Sequence, residues 1–406
     1  MLNYCSRPGY IMKKTNTLYK RIRKTFAVII AKSLRTLCRG LHRGGTNIPG
    51  HAARIIDPQL LSELTSEVRT IIITGSNGKT TAVHAAAHML NALQIQCAYS
   101  RNGENMENSL LTVLIDNYDL GKKRPVNDVA VLECDEKYLI KLLWAIKPVC
   151  ITITNICKNQ TDRLGFPEDV VEMFHEGLSD YQGIICMNAA DKYSIQLAEK
   201  LSSQKRIEYS VSGNNIFIAG NPFQVKLGIP GEYNTGNAAA AMASLYAVGL
   251  LSGTAVDSLQ TLQPVFGRME KIEIGSTPVI MNLAKNPAGV YESVQYITEN
   301  FNSTRWVLGF DNDLKDGKDL SWISDVPWKD YEKYFTEVIV FTDLCDETEK
   351  TLRSMDIPFR STKNARHLIE MIKESREPVY MILNYTCMMK VRKEMARQKY
   401  VLDYWK

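Results

Sequence analysis

The feature that most constrains the fold of this chain is a short segment between a predicted strand and a predicted helix. The apolar run from Val68 to Ile73 ends in Thr74-Gly75-Ser76-Asn77-Gly78-Lys79-Thr80-Thr81. The residues from Thr80 to Leu93 are rich in alanine and apolar at helical spacing. A strand that passes through Gly-x-x-Gly-Lys-Thr into a helix directs backbone N–H groups, an ammonium group and the positive helix end at one point. We therefore expect a phosphate-binding loop in an α/β fold.

The glycine spacing of this loop is shorter than in the general nucleotide-binding pattern. Two residues, rather than four, separate Gly75 from Gly78. A plain strand-to-helix turn with a solvated lysine is the simplest alternative. The strand, the lysine, the paired threonines and the helix all coincide, which favours phosphate binding. In that interpretation Lys79 contacts the terminal phosphates, and the hydroxyl of Thr80 or Thr81 helps to hold Mg²⁺.

Charge is distributed unevenly along the chain. The 406 residues carry a net charge of +5, but residues 1–54 contain twelve Lys and Arg and no Asp or Glu, which leaves the remainder at −7. A basic arm on an acidic body predicts attraction to an anionic membrane face or to nucleic acid. A solvated helix that only packs on the body is the alternative. The longest apolar run of the arm, Phe26 to Ala31, is far too short to span a bilayer. We expect a cytoplasmic protein, with contact to the inner membrane surface left open.

Strand-like and helix-like patterns alternate through the rest of the chain. Between residues 55 and 267 this alternation predicts a parallel sheet covered on both faces. Residues 206–229 change to a period near two and predict a small antiparallel appendage. A second alternating set follows Arg268 and is long enough for a separate domain. We therefore expect a basic arm or helix at 1–54, a central nucleotide-binding domain at 55–267 and a C-terminal α/β domain at 268–406.

Two acidic residues follow a predicted strand that neighbours the phosphate loop. Glu133 and Asp135 close the apolar run from Val129 to Leu132. Ligands of such sheets bind beyond the carboxyl ends of the strands, where a carboxylate can bind Mg²⁺. Asp135 also precedes a predicted helix and would cap it unaided. We therefore favour Glu133 as the metal-binding group.

Three other places carry polar residues with more than one interpretation. The segment from Asn155 to Gly165 follows the next strand and fits an active-site loop or an ordinary turn. Asn234 and Asn237 open an alanine-rich helix, where they could cap it or grip a base. Arg268 lies at the hinge between the predicted domains, where it could reach a phosphate on closure or form a surface ion pair.

The late segment from Asp311 to Asp325 contains five aspartates. It begins like a calcium loop, but Trp322 stands where that loop requires glutamate. A site that handles a cation or an amine fits better. The nine cysteines show no C-x-x-C spacing, so we expect reduced, mostly structural thiols and no zinc site. None of them lies in a nucleophile-elbow context, which argues against a built-in glutaminase.

In their order along the chain, these motifs resemble those of the Mur ligases. The resemblance rests on Thr74 to Thr81, the strand end at Glu133, Asn155 with Asp162-Arg163-Leu164-Gly165, Gly231-x-x-Asn234-x-x-Asn237, and Phe266-Gly267-Arg268-Met269-Glu270. Four further segments are similar to the MurT-type subunits of lipid II isoglutaminyl synthases: Gly45-Thr46-x-x-Pro49-Gly50, Asn105-Met106, Leu283-Ala284-Lys285-Asn286-Pro287-Ala288-Gly289, and Asp316-Gly317-Lys318-Asp319-Leu320-Ser321-Trp322. Tyr385-Thr386 matches as well.

The resemblance implies a central P-loop ATPase domain, a C-terminal Rossmann-like domain, and ATP and Mg²⁺ as cofactors. It implies that a carboxylate attacks the γ-phosphate of ATP and that an amine displaces the acyl phosphate. Lys79 would stabilise phosphoryl transfer, and Thr80 and Glu133 would hold Mg²⁺. The nucleotide would also contact Gly75, Asn77, Gly78, Thr81, Asn234, Asn237 and Arg268.

For MurT-type subunits, the resemblance implies that ammonia amidates the D-glutamate α-carboxylate of the lipid II stem peptide. The implied partners are a GatD-type glutamine amidotransferase subunit, which supplies the ammonia, and lipid II at the inner membrane surface, with no nucleic acid. An aspartate between Asp316 and Asp325 would assist at the glutaminase junction or the amine step, and we rank Asp319 first.

The chain departs from this family in identifiable places. No cysteine lies between Cys186 and Cys345, where MurT-type proteins usually carry a four-cysteine zinc ribbon, so we predict no zinc. Lys158 to Asp162 replaces a segment that usually holds one more acid, and Glu104 stands where small residues are common. Two other functions remain as alternatives. One is a Mur or folylpolyglutamate-type amino-acid ligase, and the other is a catalytically degenerate paralogue that binds nucleotide.

Overall fold

The computed structural model describes residues 8–40, 46–157, 165–265, 267–313, 316, 319–343 and 346–401. The altered segment from Lys158 to Asp162 lies outside these residues. The described chain forms a set of N-terminal helices, a central α/β domain and a C-terminal α/β domain.

The basic N-terminal region forms a long helix that packs on the body. The helices here are α1 (Pro8–Gly40), α2 (Ile48–Ile56) and α3 (Leu60–Thr65). Ala27, Val28 and Ala31 of α1 are buried in the same core cluster as residues of the central domain. Helix α2 continues past the boundary predicted at residue 54. None of the helices in the described ranges has an apolar stretch of the length that a bilayer crossing needs.

The central sheet is mainly parallel, as the alternating pattern predicts. Its strands follow the order β10-β9-β8-β7-β6-β1-β5-β2. Their bounds are β1 (Arg69–Thr74), β2 (Cys97–Tyr99), β5 (Val129–Glu133), β6 (Cys150–Ile153), β7 (Ile184–Asn188), β8 (Arg206–Ser212), β9 (Asn215–Ile218) and β10 (Asn221–Gln224). A separate two-stranded ribbon pairs β3 (Tyr118–Asp119) with β4 (Arg124–Pro125).

Helices cover both faces of this sheet, which explains why its strands are apolar throughout. They are α4 (Lys79–Ala92), α5 (Glu107–Asp116), α6 (Glu136–Ile146), α7 (Pro167–Leu178), α8 (Lys192–Lys200), α9 (Glu232–Ala247) and α10 (Gly253–Ser258), which a 3₁₀ turn at Leu259–Thr261 follows. Within β1, Ile72 joins one core cluster, whereas Ile71 and Ile73 join the other. Strand β1 lies between β5 and β6, so the loop that follows it emerges at the middle of the sheet.

The segment from 206 to 229 is less separate than the sequence suggests. Strands β8, β9 and β10 form the expected antiparallel hairpins. Strand β8 also pairs in parallel with β7, so the hairpins extend the central sheet rather than standing apart from it. The local alternation of polar and apolar residues predicts the hairpins. It does not predict the pairing of β8 with β7, because that pairing joins segments that are distant in the sequence.

The C-terminal domain has its own sheet, in the order β11-β12-β16-β13-β14-β15. Its strands are β11 (Glu270–Ile274), β12 (Thr277–Leu283), β13 (Thr304–Gly309), β14 (Phe335–Phe341), β15 (Arg360–Thr362) and β16 (Val379–Leu383). All pairs are parallel except the hairpin of β11 with β12. The helices are α11 (Pro287–Asn300), α12 (Glu347–Ser354), α13 (Ala365–Lys373) and α14 (Tyr385–Arg397), with 3₁₀ turns at Ser321–Asp325 and Trp328–Tyr334. This is the expected Rossmann-like arrangement.

The connection between the two domains has left-handed backbone on both sides of Arg268. Gly267 has φ of 63° and Met269 has φ of 53°. Strand β11 begins directly after this connection, at Glu270.

Candidate functional site

The loop between β1 and α4 adopts a conformation that depends on its two glycines. Gly75 has φ of 123°, and Gly78, which precedes the first residue of α4, has φ of 81°. A Cβ on Gly78 would lie 1.9 Å from Oδ1 of Asn237, and one on Gly75 would lie 2.4 Å from Oγ1 of Thr154. Both positions therefore require glycine for the backbone angle and for the space.

The loop after β6 holds this glycine loop in place. Oγ1 of Thr154 donates to the backbone oxygen of Asn77 at 2.6 Å. The side chain of Asn155 spans the same residue, because it accepts from the backbone N–H of Asn77 at 3.0 Å and donates to its carbonyl at 3.2 Å. Ser76 exchanges hydrogen bonds with the backbone of Cys157. Thr154 to Cys157 therefore supports the phosphate loop, so the described part of the polar segment belongs to the site.

Lys79 is buried and its ammonium lies inside the glycine loop. It donates to the backbone oxygen of Gly75 and lies 3.4 Å from that of Ser76. Its Nζ is also 3.7 Å from Oε2 of Glu136. The backbone N–H groups at the start of α4 and this ammonium therefore concentrate positive charge at one point.

Glu133 and Thr80 meet at the carboxyl end of β5. Oγ1 of Thr80 donates to Oε2 of Glu133 at 2.7 Å, and Asn105 donates to Oε1 of Glu133 at 3.3 Å. Glu133 is almost fully buried. Asp135 caps α6 by accepting from the N–H of Lys137, as the alternative interpretation of that residue proposes. The carboxylate and the hydroxyl that the sequence assigns to Mg²⁺ are thus neighbours.

Glu136 adds a carboxylate that the sequence interpretation does not include. It is buried at the start of α6, and its Oε1 has no hydrogen-bond partner among the described residues. A buried carboxylate oxygen without a partner is costly. Oxygen atoms of Thr80, Glu133 and Glu136 suit Mg²⁺, which prefers such ligands. The donor set present therefore fits that ion.

Asn234 and Asn237 lie buried in the first turns of α9. Nδ2 of Asn237 donates to Oδ1 of Asn234 at 3.2 Å, and Nδ2 of Asn234 donates to the carbonyl of Pro230 at 2.5 Å. Asn237 also lies against Gly78, so this pair packs on the phosphate loop. Their expected place at the adenine stays a prediction.

The C-terminal domain reaches the phosphate loop through the start of α11. Asn286 caps α11 by accepting from the N–H of Gly289 at 2.8 Å, and its Nδ2 donates to Oδ1 of Asn77 at 3.2 Å. Arg268 donates to the carbonyl of Leu283 at 3.0 Å, just ahead of the same helix. A second helix N-terminus and a guanidinium therefore face the loop from the other domain.

Lys285 and Glu292 have strongly shifted pKa values at this junction. Burial, and secondly the nearby charge of Lys79, lower the pKa of Lys285 to about 8. Burial raises the pKa of Glu292 to about 7, and Arg268 opposes this rise. Titratable groups shifted in this way by burial and by specific neighbours are typical of functional sites.

A cavity of about 360 Å³ lies between the two domains. One wall carries Lys79, Thr80, Glu133 and Glu136 from the central domain. The rest of the lining comes from the C-terminal domain and from the segments that precede α2 and α5, namely Thr46, Asn47, Arg101, Asn102, Glu104, Asn105, Arg268, Leu283, Lys285, Asp316, Tyr385 and Met388. A molecule in this cavity would contact the phosphate loop and the C-terminal domain together.

The described aspartates of the late acidic segment have different surroundings. Asp311 is buried and accepts from Lys390 at 2.9 Å and from Thr342 at 2.7 Å. These hydrogen bonds hold the start of the segment against the rest of the C-terminal domain. Asp316 lines the cavity, and its carboxylate accepts from the backbone N–H groups of Tyr385 and Thr386 at 2.8 and 2.9 Å. Burial raises the pKa of Asp316. Asp319 is exposed and accepts from the N–H of Ser321.

The positions of Asp316 and Asp319 bear on the two roles that the sequence leaves open. Asp316 faces the cavity, where it can act on the bound molecule. Asp319 faces the surface, where it can meet a partner. The exposed position of Asp319 is compatible with the partner junction, whereas Asp316 is the described aspartate of this segment that lines the cavity.

Comparison with known proteins identifies both domains. The model of the Mur ligase middle domain matches residues 73–245, and the model of the MurT ligase C-terminal domain matches residues 283–388. Together these ranges cover more than half of the chain, and they contain the phosphate loop, Glu133, Lys285 and Asp316. The chain belongs to the Mur ligase family and is of the MurT type. It is therefore an ATP-dependent ligase.

Individual relatives agree with this placement. The lipid II isoglutaminyl synthase (glutamine-hydrolyzing) subunit MurT of Staphylococcus aureus (strain COL) is 25% identical over 379 residues, which cover 79% of this chain and 85% of that protein. The subunit of the same name from Streptococcus pneumoniae is 22% identical over an alignment of 446 positions, which covers 94% of this chain and 98% of that protein. A crystal structure of MurF from Acinetobacter baumannii has a TM-score of 0.67 at 18% identity and covers 85% of this chain and 80% of that chain. The last comparison confirms the fold.

Proposed function

We propose that this chain is the amide-forming subunit of a lipid II isoglutaminyl synthase. In this proposal it uses ATP to convert the D-glutamate α-carboxylate of the lipid II stem peptide to the amide of D-isoglutamine. The observation that supports it most is the cavity between the domains. The phosphate loop lies on one wall of this cavity, and Lys285 and Asp316 of the MurT-type domain lie on the other.

The central domain supplies the groups that phosphoryl transfer needs. The substrate carboxylate attacks the γ-phosphate of ATP, an acyl phosphate forms and ADP leaves. Lys79, the start of α4 and Arg268 stabilise the charge that develops on the transferring phosphoryl group. Mg²⁺, held by Thr80 and Glu133, would supply further charge neutralisation.

The C-terminal domain supplies the groups for the second step. Ammonia attacks the acyl carbon, phosphate leaves with the bonding electrons, and the extra proton of the nitrogen must be removed. Asp316 lies in the cavity with a pKa raised by burial, which suits a carboxylate that receives a proton.

The names of these relatives support a second subunit that supplies ammonia. Those proteins are named as subunits of a glutamine-hydrolyzing synthase. We propose that a GatD-type glutamine amidotransferase binds near the exposed Asp319 and delivers ammonia to the cavity. The complex would act in the cytoplasm at the inner membrane surface, where lipid II is accessible, with no nucleic acid involved.

Mass spectrometry of the stem peptide tests this function. The purified chain is mixed with MgATP and detergent-solubilised lipid II, and with ammonium, glutamine or an amino acid. We expect ammonium alone to give the mass decrease of a carboxyl-to-amide conversion, and glutamine to do so only with the added glutaminase. A mass increase with the amino acid would identify an amino-acid ligase instead. No change under any condition, with ATP still bound, would favour a nucleotide-binding paralogue.

A further inference from the structure

Helix α1 has an exposed apolar face in addition to the face that packs on the body. Tyr19, Ile22, Phe26 and Ile29 have exposed fractions of 63, 59, 54 and 44%. Leu37, two turns further along, is exposed as well. We call these five residues the α1 stripe. Scattered exposed apolar residues are ordinary on a protein surface, but a contiguous row of them marks an interaction site.

The spacing of these residues places them on one side of the helix. At about 100° per residue, positions 19, 22, 26, 29 and 37 fall within a sector of about 80°. The buried residues Ala27, Val28, Ala31 and Cys38 are centred on the opposite side. Packing on the central domain therefore accounts for one face of α1 and leaves the stripe without a role.

The cations of α1 divide in the same way. On the side of the body, Arg23 pairs with Asp57 at 2.7 Å, Lys24 with Glu67 at 2.5 Å, and Arg35 with Asp116 at 3.2 Å. Arg21, Lys32 and Arg39 lie along one flank of the stripe at helical spacing, and Arg39 also lies 3.9 Å from Asp116. The acids of the body thus match the inward cations, whereas Arg21 and Lys32 border the apolar stripe.

We propose that the α1 stripe docks on the surface of an anionic lipid bilayer. An apolar helix face bordered by Lys and Arg lies in the interface between headgroups and acyl chains, where it buries apolar area and attracts anionic lipids. A second copy of this chain would fit poorly. Residues 1–54 contain twelve cations and no acid, so two stripes in contact would bring like charges together.

Binding of the α1 stripe to a bilayer would bring the chain to a lipid-linked substrate, so the role of the stripe rests on the proposed function. The cavity includes Thr46 and Asn47, and only five residues separate them from the end of α1 at Gly40. Six extended peptide units span at most about 20 Å. The C-terminal end of α1, next to Leu37 of the stripe, is therefore joined by a short connection to the cavity that would receive the stem peptide of a lipid-linked substrate.

Vesicle sedimentation of the full chain tests the proposal without substrate or ATP. Vesicles of phosphatidylcholine with phosphatidylglycerol are compared with vesicles of phosphatidylcholine alone, at low and physiological salt. We expect binding to the anionic vesicles that weakens with salt. Phe26→Gln with Ile29→Gln should lower it at least about tenfold. Arg21→Gln with Lys32→Gln should lower it on anionic vesicles only.

Trp144→Gln with Ile195→Gln is the matched control. Trp144 and Ile195 are exposed by 65 and 43% and lie on the central domain. This variant should bind vesicles as the unmodified chain does, and thermal unfolding should be alike for all variants. Equal vesicle binding by the Phe26 and Ile29 variant, or no binding by the unmodified chain, overturns the proposal. The proposal is also overturned if the unmodified chain is a dimer in sedimentation velocity and the Phe26 and Ile29 variant is a monomer. Amidation of lipid II in detergent is measured separately, so a failure of the proposed function would show there and not in vesicle binding.

Discussion

Lys79 is the residue on which the phosphoryl-transfer step depends most. Its ammonium is buried inside the glycine loop and within 3.7 Å of Glu136. We expect Lys79→Ala to lower kcat for ammonium-dependent amidation by about 10²–10³-fold, the range found when a preorganised charge-stabilising donor is removed. Lys141→Ala, at an exposed lysine of α6, serves as the control. Undiminished amidation by the Lys79 variant would remove the basis of the proposed mechanism.

Lys285 makes the charge of the site depend on pH, which the sequence alone does not predict. Its pKa is about 8 because burial and Lys79 both oppose its charged form. Below that pH the group is protonated and can attract a phosphate, and above it the charge is lost. We therefore expect MgATP affinity to fall by up to about tenfold between pH 7 and pH 9. Lys285→Arg should abolish this fall, because a guanidinium stays charged. Calorimetric titration at each pH measures the effect, and a pH-independent affinity of the unmodified chain would show that Lys285 does not contact phosphate.

At the level of elements, the glycine loop and the start of α9 fit together through Gly78. A side chain there would meet Asn237 at 1.9 Å and would also need a left-handed backbone. We expect Gly78→Ala to weaken MgATP binding by at least about tenfold, since the loop must shift away from its phosphate-binding geometry. Gly213→Ala, in the turn between β8 and β9, is the control for replacing a left-handed glycine away from the phosphate loop. Gly213 has φ of 58° but no atoms within 4 Å of the added Cβ, so this variant carries only the backbone cost and should bind MgATP normally. Equal binding by both variants would mean that the contact with Asn237 does not shape the loop.

The same elements show which features the sequence can predict. The unit formed by β1, the glycine loop and α4 can be predicted from local sequence, namely an apolar run, two glycines, a lysine and an alanine-rich stretch. The meeting of Thr80 with Glu133 follows from the rule that parallel strands end at one edge. The sequence does not identify Glu136 and Lys285 as site residues, because only tertiary packing brings them to the loop, and the motif that contains Lys285 has no spacing that reveals its chemistry.

The arrangement of the whole molecule joins two sources of chemistry in one cavity. The central domain brings phosphate-binding groups, and the C-terminal domain brings Asp316 and Lys285. The hydrogen bond of 3.2 Å between Asn286 and Asn77 holds the two domains together at that point. This contact between the domains cannot be predicted from the sequence pattern of either domain alone, because it depends on how the hinge at Arg268 orients the two domains.

This arrangement also separates the amide-forming reaction from the supply of its ammonia. Asp319 is exposed, whereas Asp316 faces the cavity and holds the first N–H groups of α14. We expect Asp319→Asn to leave ammonium-dependent amidation unchanged and to lower glutamine-dependent amidation with the glutaminase by at least about tenfold, or about 1.4 kcal/mol. Asp316→Asn should lower both, because the cavity itself is altered. Rates with ammonium and with glutamine, measured side by side, give the ratio. If Asp319→Asn lowers both rates equally, Asp319 acts in the amide-forming site and the glutaminase must bind elsewhere.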